Sequence, residues 1–397
     1  MQVVKLLHDQ MKVAVPTMHA VRMTSLFANV EGLLRGERLS LTRVGRFLRG
    51  KAHEKHRIKR ADRLVGNPHL NGERQAVYGW ISRSLVGNAQ QPLIIVDWSD
   101  VDAAQTLYLL RAAVVIGGRA LPVYEEVHTR YHHPRDTTRF LRRLKALLPA
   151  GCRPVIVTDA GFKTPWYRAV ERLGWYYLGR VRSLDRIRLA GSDKWLPNKS
   201  LHDRATGQPQ ALGEVLLTRS AALPTRAYLY KQPARGRSKR GVHGQRQRNA
   251  ASLKHAAGAT EPWLLVSNLD PHNEIAQAVV ALYKRRMAIE QSFRDLKAHR
   301  HGFALRQSLG RNARRVANLL LVAALGTLAT WIMGIAGQQL GRARELQANT
   351  ETRTTVLSVF FIGTRLLKQG VRCALSVLRS AQNRMTELIV RYPIPDA

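Results

Sequence analysis

The segment 319–337, LLLVAALGTLATWIMGIAG, runs for nineteen residues without a charged side chain. Such a stretch must leave water, either in the core of a folded domain or in a lipid bilayer, for which it approaches the minimum length. It contains two threonines and three glycines, and it follows the arginine-rich stretch 306–315, which suits a nucleic acid as well as a bilayer edge. We interpret the segment as a buried core helix, with a membrane span as the alternative.

The charge of the chain points to its partner. The 397 residues include 64 Lys and Arg against 27 Asp and Glu, which gives a formal charge of +37. This excess favours a polyanion, and nucleic acid is the first candidate. Cys152 and Cys373 form neither a zinc-binding spacing nor a disulfide framework, and the N-terminal sequence lacks the pattern of a secretory signal. We therefore expect a cytoplasmic protein.

The N-terminal region, residues 1–85, is predicted to be helical. Within it, the stretch 39–67 has the apolar spacing of two short helices with basic residues between the apolar positions. One interpretation is a DNA-binding domain with helix-turn-helix character, and the other is a solvated basic face on an ordinary bundle. The basic residues assigned to DNA binding are Arg57, Lys59, Arg60 and Arg63.

The pattern changes to strands near residue 90. The run 92–100, PLIIVDWSD, is short, β-branched and apolar, and 107–128 predicts two further strands broken at Gly117 and Gly118. Helical spacing follows in 137–150. These alternating elements indicate a mixed α/β domain.

A second strand, turn and helix occupy 152–175, with Thr164 as the helix N-cap and Pro165 at the first helical position. Periodicity then weakens up to residue 260, and the basic stretch 231–249 contains no acidic residue. We interpret this region as an inserted subdomain with a basic interaction loop, although a solvated linker has the same composition. Strand character resumes at 261–270.

Two aspartates follow apolar runs that read as strands. Asp97 ends LIIVD and Asp159 ends VIVTD. Either aspartate alone would fit a turn or a helix cap. Two carboxylates at adjacent strand ends, joined by a third from a packed helix, would instead form a cluster that stays ionised only around cations. Oxygen ligands of this type suit magnesium or manganese.

The stretch 283–297, YKRRMAIEQSFRDLK, is predicted to be one helix that supplies the third carboxylate, Glu290. At about 100° per residue, a line of polar residues lies within roughly 40° of Glu290. An apolar stripe beside it can pack the helix onto a sheet. A surface helix with an ion pair between Arg286 and Glu290 is the alternative. The polar line consists of Tyr283, Arg286, Glu290 and Lys297, and the apolar stripe of Leu282, Ile289, Phe293 and Leu296.

This polar line fits the pattern Y-x2-R-x3-E-x6-K. Together with Asp97 and Asp159, it resembles the signature of the DDE transposases of the fourth insertion-sequence family. Further stretches extend the resemblance over nearly the whole chain, and no signature position departs from the pattern. They are HRIKRADRLVGN, VDWSD, DAGFKTPWY, EPWLLVSNL and RMAIEQSFRDLK.

The resemblance implies an α/β protein with an RNase H-like catalytic domain and a β-rich insertion, flanked by an N-terminal helical DNA-binding domain and a C-terminal helical region. Asp97, Asp159 and Glu290 would be the catalytic residues and would hold two Mg²⁺ or Mn²⁺ ions. The expected domains are 1–85 for DNA binding, 86–175 and 261–310 for the two parts of the catalytic domain, 176–260 for the insertion, and 311–397 for dimerisation.

The resemblance also implies cut-and-paste transposition through a DNA hairpin. Trp263 corresponds to a tryptophan that stacks on a flipped base in relatives, while a core tryptophan in a strand is the alternative. Tyr283, Arg286 and Lys297 would grip the phosphates near that base. The expected partners are double-stranded DNA, a second copy of the chain and possible host DNA-bending proteins, with no membrane.

Two other functions compete with transposition. A helix-turn-helix regulator explains the basic N-terminal region but gives the three carboxylates no role. A structure-specific DNA nuclease of RNase H-like fold would use the same carboxylates. It would stop at hydrolysis, whereas a transposase joins a DNA 3′-hydroxyl to target DNA.

Overall fold

The computed structural model describes residues 1–182, 185–233, 261–300, 302–348, 350–351 and 356–393. The chain divides into two compact units. Unit 1 is formed by Met1–Cys152 and Met287–Tyr392, and unit 2 mainly by Arg153–Arg286. Most of the predicted basic loop, 231–249, lies outside the described residues.

Unit 1 begins with helices, as predicted. Its first five helices are α1 (Gln2–Ala14), α2 (Ala20–Gly36), α3 (Leu41–Arg46), α4 (Glu54–Val65) and α5 (Pro68–Val86). The side chain of Ser40 caps α3, and Asn67 caps α5 ahead of a proline at its first position. The two short helices predicted within 39–67 are therefore confirmed as α3 and α4.

Three antiparallel strands follow. They are β1 (Leu93–Asp100), β2 (Tyr108–Ile116) and β3 (Arg119–His128), with β2 in the centre. The predicted break between β2 and β3 is confirmed, since Gly117 has φ of 55°, a backbone conformation that favours glycine. Helix α6 (Pro134–Leu147) completes this part of the unit.

Unit 2 contains seven strands and two α-helices on the described residues. The elements in chain order are β4 (Val155–Thr158), α7 (Thr164–Glu171), β5 (Tyr176–Val181), β6 (Arg186–Leu189), β7 (Leu196–Pro197), a 3₁₀ helix (Asn198–Arg204), β8 (Gln210–Leu217), β9 (Leu223–Tyr230), β10 (Trp263–Ser267) and α8 (Ile275–Lys284). Strands β4 and β5 pair in parallel, and the other pairings within the unit are antiparallel, in the order β4-β5-β10-β9-β8-β6-β7.

One predicted helix cap is wrong by a residue. Helix α7 starts at Thr164, so the N-cap is Lys163, and its side chain makes no capping hydrogen bond. Pro165 consequently occupies the second helical position, where a missing N–H group is also tolerated because the first turn leaves such donors unpaired.

The chain then returns to unit 1. The remaining elements are α9 (Met287–Lys297), a 3₁₀ helix (Leu305–Ser308), α10 (Ala313–Gln339), α11 (Arg342–Glu345), α12 (Val359–Lys368) and α13 (Leu375–Glu387). Of the described helices, α10 is the one long and apolar enough to cross a bilayer, and 94% of its most apolar window is buried. It packs against α2, α5, α12, α13 and β3. The predicted burial of segment 319–337 in a core is therefore confirmed.

Glycines permit the close packing of α10 on α12. A Cβ atom on Gly363 would overlap the carbonyl oxygen of Thr330, and one on Gly334 would overlap that of Val359. Two of the small residues in this contact are thus required because the helix backbones approach so closely. The structure as a whole is mixed α/β, as predicted, whereas the division into five domains stays a prediction.

Candidate active site

The sheet of unit 1 has two faces with different partners. Residues paired across an antiparallel ladder lie on the same face, and neighbours along a strand alternate. Asp97 of β1 pairs with Arg111 of β2, which pairs with Glu125 of β3. These side chains and Ser99 lie on one face, which we call the α9 face because α9 packs there. The opposite face, which we call the α6 face, carries Trp98, Leu110, Tyr124, Glu126 and His128.

Asp97 is half-buried and lies inside β1, which continues to Asp100. The prediction that Asp97 ends its strand is therefore wrong. Its backbone position is held by ladder pairs on both sides, Val96 with Ala112 and Trp98 with Leu110. A carboxylate in mid-strand is fixed more firmly than one on a turn, since both flanking residues belong to the ladder.

Buried charges hold α9 on the face that carries Asp97. The Arg111 guanidinium donates to Glu125 Oε1 at 2.6 and 2.8 Å, and its third nitrogen donates to Ser292 Oγ on α9 at 2.8 Å. The ring of Phe293 lies 4.8 Å from the guanidinium carbon. The second Glu125 oxygen accepts from the Tyr78 hydroxyl at 2.7 Å. Both the acid and the base in this core therefore have specific partners.

Glu290 lies in the first turn of α9 and is exposed. The apolar side of the same helix is buried, including Ile289, Phe293 and Leu296, as the predicted stripe requires. A carboxylate at this end of a helix is favoured by the unpaired N–H groups there. Helix α9 thus packs one side on the sheet and presents Glu290 on another.

Lys297 ends α9 and reaches back to β1. Its Nζ donates to Ser99 Oγ at 2.6 Å, and Ser99 lies two residues beyond Asp97 on the same face. Burial, with the nearby Arg306 and Arg111, lowers the pKa of Lys297 to about 8, against an opposing effect of Asp100. The charge of Lys297 is therefore lost in mildly alkaline solution.

The single helix predicted for 283–297 is wrong. Helix α8 ends at Lys284 and α9 begins at Met287. Between them, the N–H groups of Arg285 and Arg286 donate to carbonyls three residues back, each at 3.0 Å, which is a tightened turn. The alignment of Tyr283, Arg286, Glu290 and Lys297 on one side was predicted for a continuous helix. It therefore holds only for Glu290 and Lys297, which both lie on α9.

Asp159 immediately follows β4 in unit 2, so its predicted position at a strand end is confirmed. It is half-buried, and its Oδ1 accepts a hydrogen bond from the N–H of Gly161 at 2.9 Å. This contact gives Asp159 the role of a turn residue. Its second predicted role, in binding metal, stays a prediction.

Trp263 and Tyr283 lie together in unit 2. Trp263 is half-buried on β10, and its ring centroid is 5.0 Å from that of Tyr283 at an angle of 71°. The ring centroid of Tyr230 is 5.7 Å from that of Trp263, and the Lys284 ammonium lies over the Tyr230 ring at 4.8 Å. Arg286 follows in the turn after α8. The tryptophan therefore belongs to an aromatic cluster that one basic side chain, Lys284, contacts.

The four basic residues predicted for DNA binding all lie on α4. Lys59, Arg60 and Arg63 are exposed. Arg57 is half-buried and donates to the Leu48 carbonyl at 2.8 Å, so it also holds the connection between α3 and α4. Seven residues separate these helices, which is longer than the three or four residues of a helix-turn-helix turn.

The three candidate metal ligands are divided between the units: Asp97 and Glu290 belong to unit 1 and Asp159 to unit 2. Within the described residues, no three His, Cys, Asp or Glu side chains form a group suited to a metal ion. The donor chemistry fits, since carboxylate oxygens on half-buried or exposed side chains are ligands that magnesium accepts. Their gathering around ions stays a prediction.

The side chains that hold α9 were missed from the sequence: Ser99, Arg111, Glu125 and Ser292. One signal was present, because Arg111 interrupts the apolar run YLLRAAVVI and Glu125 lies in the similar run LPVYEEVH. A charged residue inside a buried strand requires a partner. The pattern does not reveal which residue on another element provides it.

Carboxylates on a strand and a helix, in a strongly basic α/β protein, are typical of enzymes that act on nucleic acid. A comparison with protein-family models is more specific. The model described as the transposase DDE domain matches residues 88–326, more than half of the chain. The protein therefore belongs to this family of transposases, which act on DNA and generally use divalent metal ions. No curated protein matches the chain.

Proposed function

We propose that this protein is the transposase of a bacterial insertion sequence of the fourth family, of the type encoded by insertion sequence ten. It would bind the terminal inverted repeats of its element and carry out cut-and-paste transposition in the bacterial cytoplasm. The observation that carries the proposal is the family match over 88–326, which includes Asp97, Asp159 and Glu290. The placement of Asp97 on the face of unit 1 that α9 covers supports it.

Asp97, Asp159 and Glu290 are proposed to hold two Mg²⁺ or Mn²⁺ ions. When bound, such ions activate an attacking oxygen and stabilise the leaving oxygen at phosphorus. The chain itself holds the proposed metal ligands in position. The backbone at Asp97 is fixed by the ladder of β1, and that at Glu290 by the packing of α9, so neither backbone position has to be ordered when DNA binds.

The proposed reaction has four steps at one site. Water attacks a phosphorus at the end of the element and releases a DNA 3′-hydroxyl. This hydroxyl attacks the opposite strand, forming a hairpin and releasing the flanking DNA. A second water opens the hairpin, and the restored 3′-hydroxyl attacks target DNA. Every step exchanges one oxygen for another at phosphorus, so one set of carboxylates can serve all four.

The DNA contacts are proposed on three parts of the chain. Trp263 would stack on a base displaced from the DNA end, beside Tyr283. Arg286 and Lys297 would bind the phosphates nearby, the first as a fork and the second as a point charge. Helix α4 would bind the duplex through Arg57, Lys59, Arg60 and Arg63. A homodimer would hold the two element ends, and host DNA-bending proteins could assist.

The test uses purified full-length protein, a labelled linear DNA carrying candidate element ends, a target plasmid and Mg²⁺. The matched variants are Glu290→Gln and Glu345→Gln, the second on the exposed helix α11. Hairpin ends and joined products from the wild type and Glu345→Gln, but not from Glu290→Gln, are expected. Nicks without hairpins or joining would support the nuclease instead, and the absence of Mg²⁺-dependent products would contradict both enzymes.

A further inference from the structure

The core of unit 1 contains an ion pair, Arg111 with Glu125, whose presence the free energy of folding alone does not explain. Arg111 is 3% exposed and Glu125 is 0% exposed. Removing two charges from water costs several kcal/mol per ion, and apolar side chains of similar size are often at least as stabilising. The pair is thus better explained by the geometry it imposes than by the free energy of folding.

That geometry connects the elements that carry two of the proposed metal ligands. Arg111 is the ladder partner of Asp97, and it donates to Ser292, two residues after Glu290 on α9. A helix is rigid over two residues, so fixing Ser292 also fixes the start of the Glu290 side chain. Glu125 also accepts a hydrogen bond from the hydroxyl of Tyr78 on α5, so a second helix is tied to the ion pair.

The charges have a second effect. Side chains paired across a ladder have Cβ atoms about 4.5–5.5 Å apart, which places the Arg111 side chain next to that of Asp97. Glu125 accepts two hydrogen bonds from this guanidinium, at 2.6 and 2.8 Å, and so neutralises it. Without Glu125, an unpaired cation would lie beside Asp97 and would compete with a metal ion for its carboxylate.

We propose that Arg111 and Glu125 are positioning residues of the transposase: the pair sets α9, and with it Glu290, in register with Asp97, and Glu125 keeps the Arg111 charge away from Asp97. The proposal rests on the proposed function, because it takes Asp97 and Glu290 to be metal ligands. Partners that orient metal ligands typically change metal affinity or activity by about 10-fold to 100-fold when they are removed.

The adjacent residue provides a matched control. Glu126 is also buried on β3, and it also binds a tyrosine hydroxyl, of Tyr124 at 2.6 Å, and an arginine, Arg143 at 2.9 Å. Its side chain lies on the α6 face, and Arg143 belongs to α6. Glu126→Gln therefore removes the same type of buried carboxylate without touching α9.

The experiment compares full-length wild type, Glu125→Gln and Glu126→Gln. Mn²⁺ binding is measured from the electron paramagnetic resonance signal of the free ion, and DNA cleavage as a function of Mg²⁺ concentration. Glu125→Gln is expected to weaken Mn²⁺ binding, and to raise the Mg²⁺ concentration for half-maximal cleavage, by about tenfold. Glu126→Gln is expected to retain both wild-type values. Equal metal dependence in the two variants would overturn the proposal.

A second variant tests the positioning role in case Glu125→Gln does not fold. The double substitution Arg111→Met with Glu125→Leu removes both charges and fills the core with apolar side chains. It is expected to fold, with a maximal cleavage rate at least about tenfold below wild type, because the contact with Ser292 is lost. A wild-type rate would overturn the positioning role. Mn²⁺ binding without any cleavage by the wild type would contradict the proposed function instead, leaving the binding comparison intact.

Discussion

Glu125 and Glu126 are neighbours on β3, and each is buried and accepts hydrogen bonds from a tyrosine and an arginine, with His128 as a further partner of Glu126. They nevertheless point to opposite faces of the unit 1 sheet. Glu125 helps to hold α9, which carries Glu290, whereas Glu126 helps to hold α6, on which no candidate site residue lies. Two buried carboxylates with similar partners thus hold different helices. Substitutions on the α9 face should therefore change metal-dependent DNA cleavage, and substitutions on the α6 face should change the stability of the fold.

The largest expected difference is between Asp97 and Trp98. Asp97→Asn on the α9 face should reduce Mg²⁺-dependent DNA cleavage by about a thousandfold or more, since loss of this proposed metal ligand would remove several kcal/mol of transition-state stabilisation. Trp98→Leu on the α6 face removes a side chain that is 6% exposed and should lower the stability by about 2–4 kcal/mol.

The two results are separated by measuring cleavage per folded molecule below the unfolding temperature. Trp98→Leu is expected to cleave at the wild-type rate there. Normal cleavage by Asp97→Asn, or loss of cleavage by folded Trp98→Leu, would remove the functional distinction between the faces.

Glu126 on the α6 face should make the free energy of unfolding depend on pH in acid solution. Burial alone would raise the pKa of Glu126, but His128, Tyr124 and Arg143 outweigh it and lower the pKa to about 2. The ionised group therefore stabilises the fold above its ordinary pKa of 4.5, and this contribution of about 3 kcal/mol is lost as the pH falls towards 2. Urea unfolding at a series of pH values should show this loss in the wild type and a weaker dependence in Glu126→Gln.

An opposite pH effect is expected from Asp295 on α9. Burial raises the pKa of Asp295 to about 6, although Arg119, Arg294 and Arg111 oppose the change. The neutral acid is favoured in the fold, so its contribution is complete below the ordinary pKa of 3.8 and is lost as the pH rises through 6. The loss should be about 2–3 kcal/mol, and Asp295→Asn should not show it. An identical pH dependence in wild type and variant would contradict this assignment.

The smallest expected effect concerns Lys297. Because its pKa is lowered to about 8, the ammonium that donates to Ser99 loses its charge between pH 7 and pH 9. Binding of a candidate element end in EDTA should weaken a few fold over this interval, in keeping with the loss of the one proposed phosphate contact, of about 1 kcal/mol. Lys297→Arg should bind equally at both pH values, since arginine keeps its charge. A parallel weakening in this variant would assign the change to another group.

The elements of unit 1 could be predicted from the sequence because their signals are local. An apolar β-branched run marked β1, two glycines marked the turn after β2, and the uncharged segment 319–337 marked the buried helix α10. The two aspartates were also found from their places in apolar runs. Local patterns of this kind need no knowledge of what lies opposite them in the fold.

The unpredicted features depend on contacts between distant residues. The break between α8 and α9 occurs at two arginines, without the glycine or proline that signals a helix end, and the apolar spacing continues across it. The pairing of Arg111 with Glu125 follows from the strand register, and its contact with Ser292 joins residues 181 positions apart. Such partners are determined by tertiary packing, which periodicity does not encode.

Whether Asp97, Asp159 and Glu290 hold the metal ions can be tested by loading the protein with Fe²⁺ in the presence of a candidate element end. Peroxide then generates hydroxyl radicals at the bound ions, and the cut sites in the chain are mapped by mass spectrometry. Cuts are expected beside all three residues, suppressed by excess Mg²⁺ and reduced in Glu290→Gln. Cuts confined to other segments, or unchanged by Glu290→Gln, would contradict this metal-binding role.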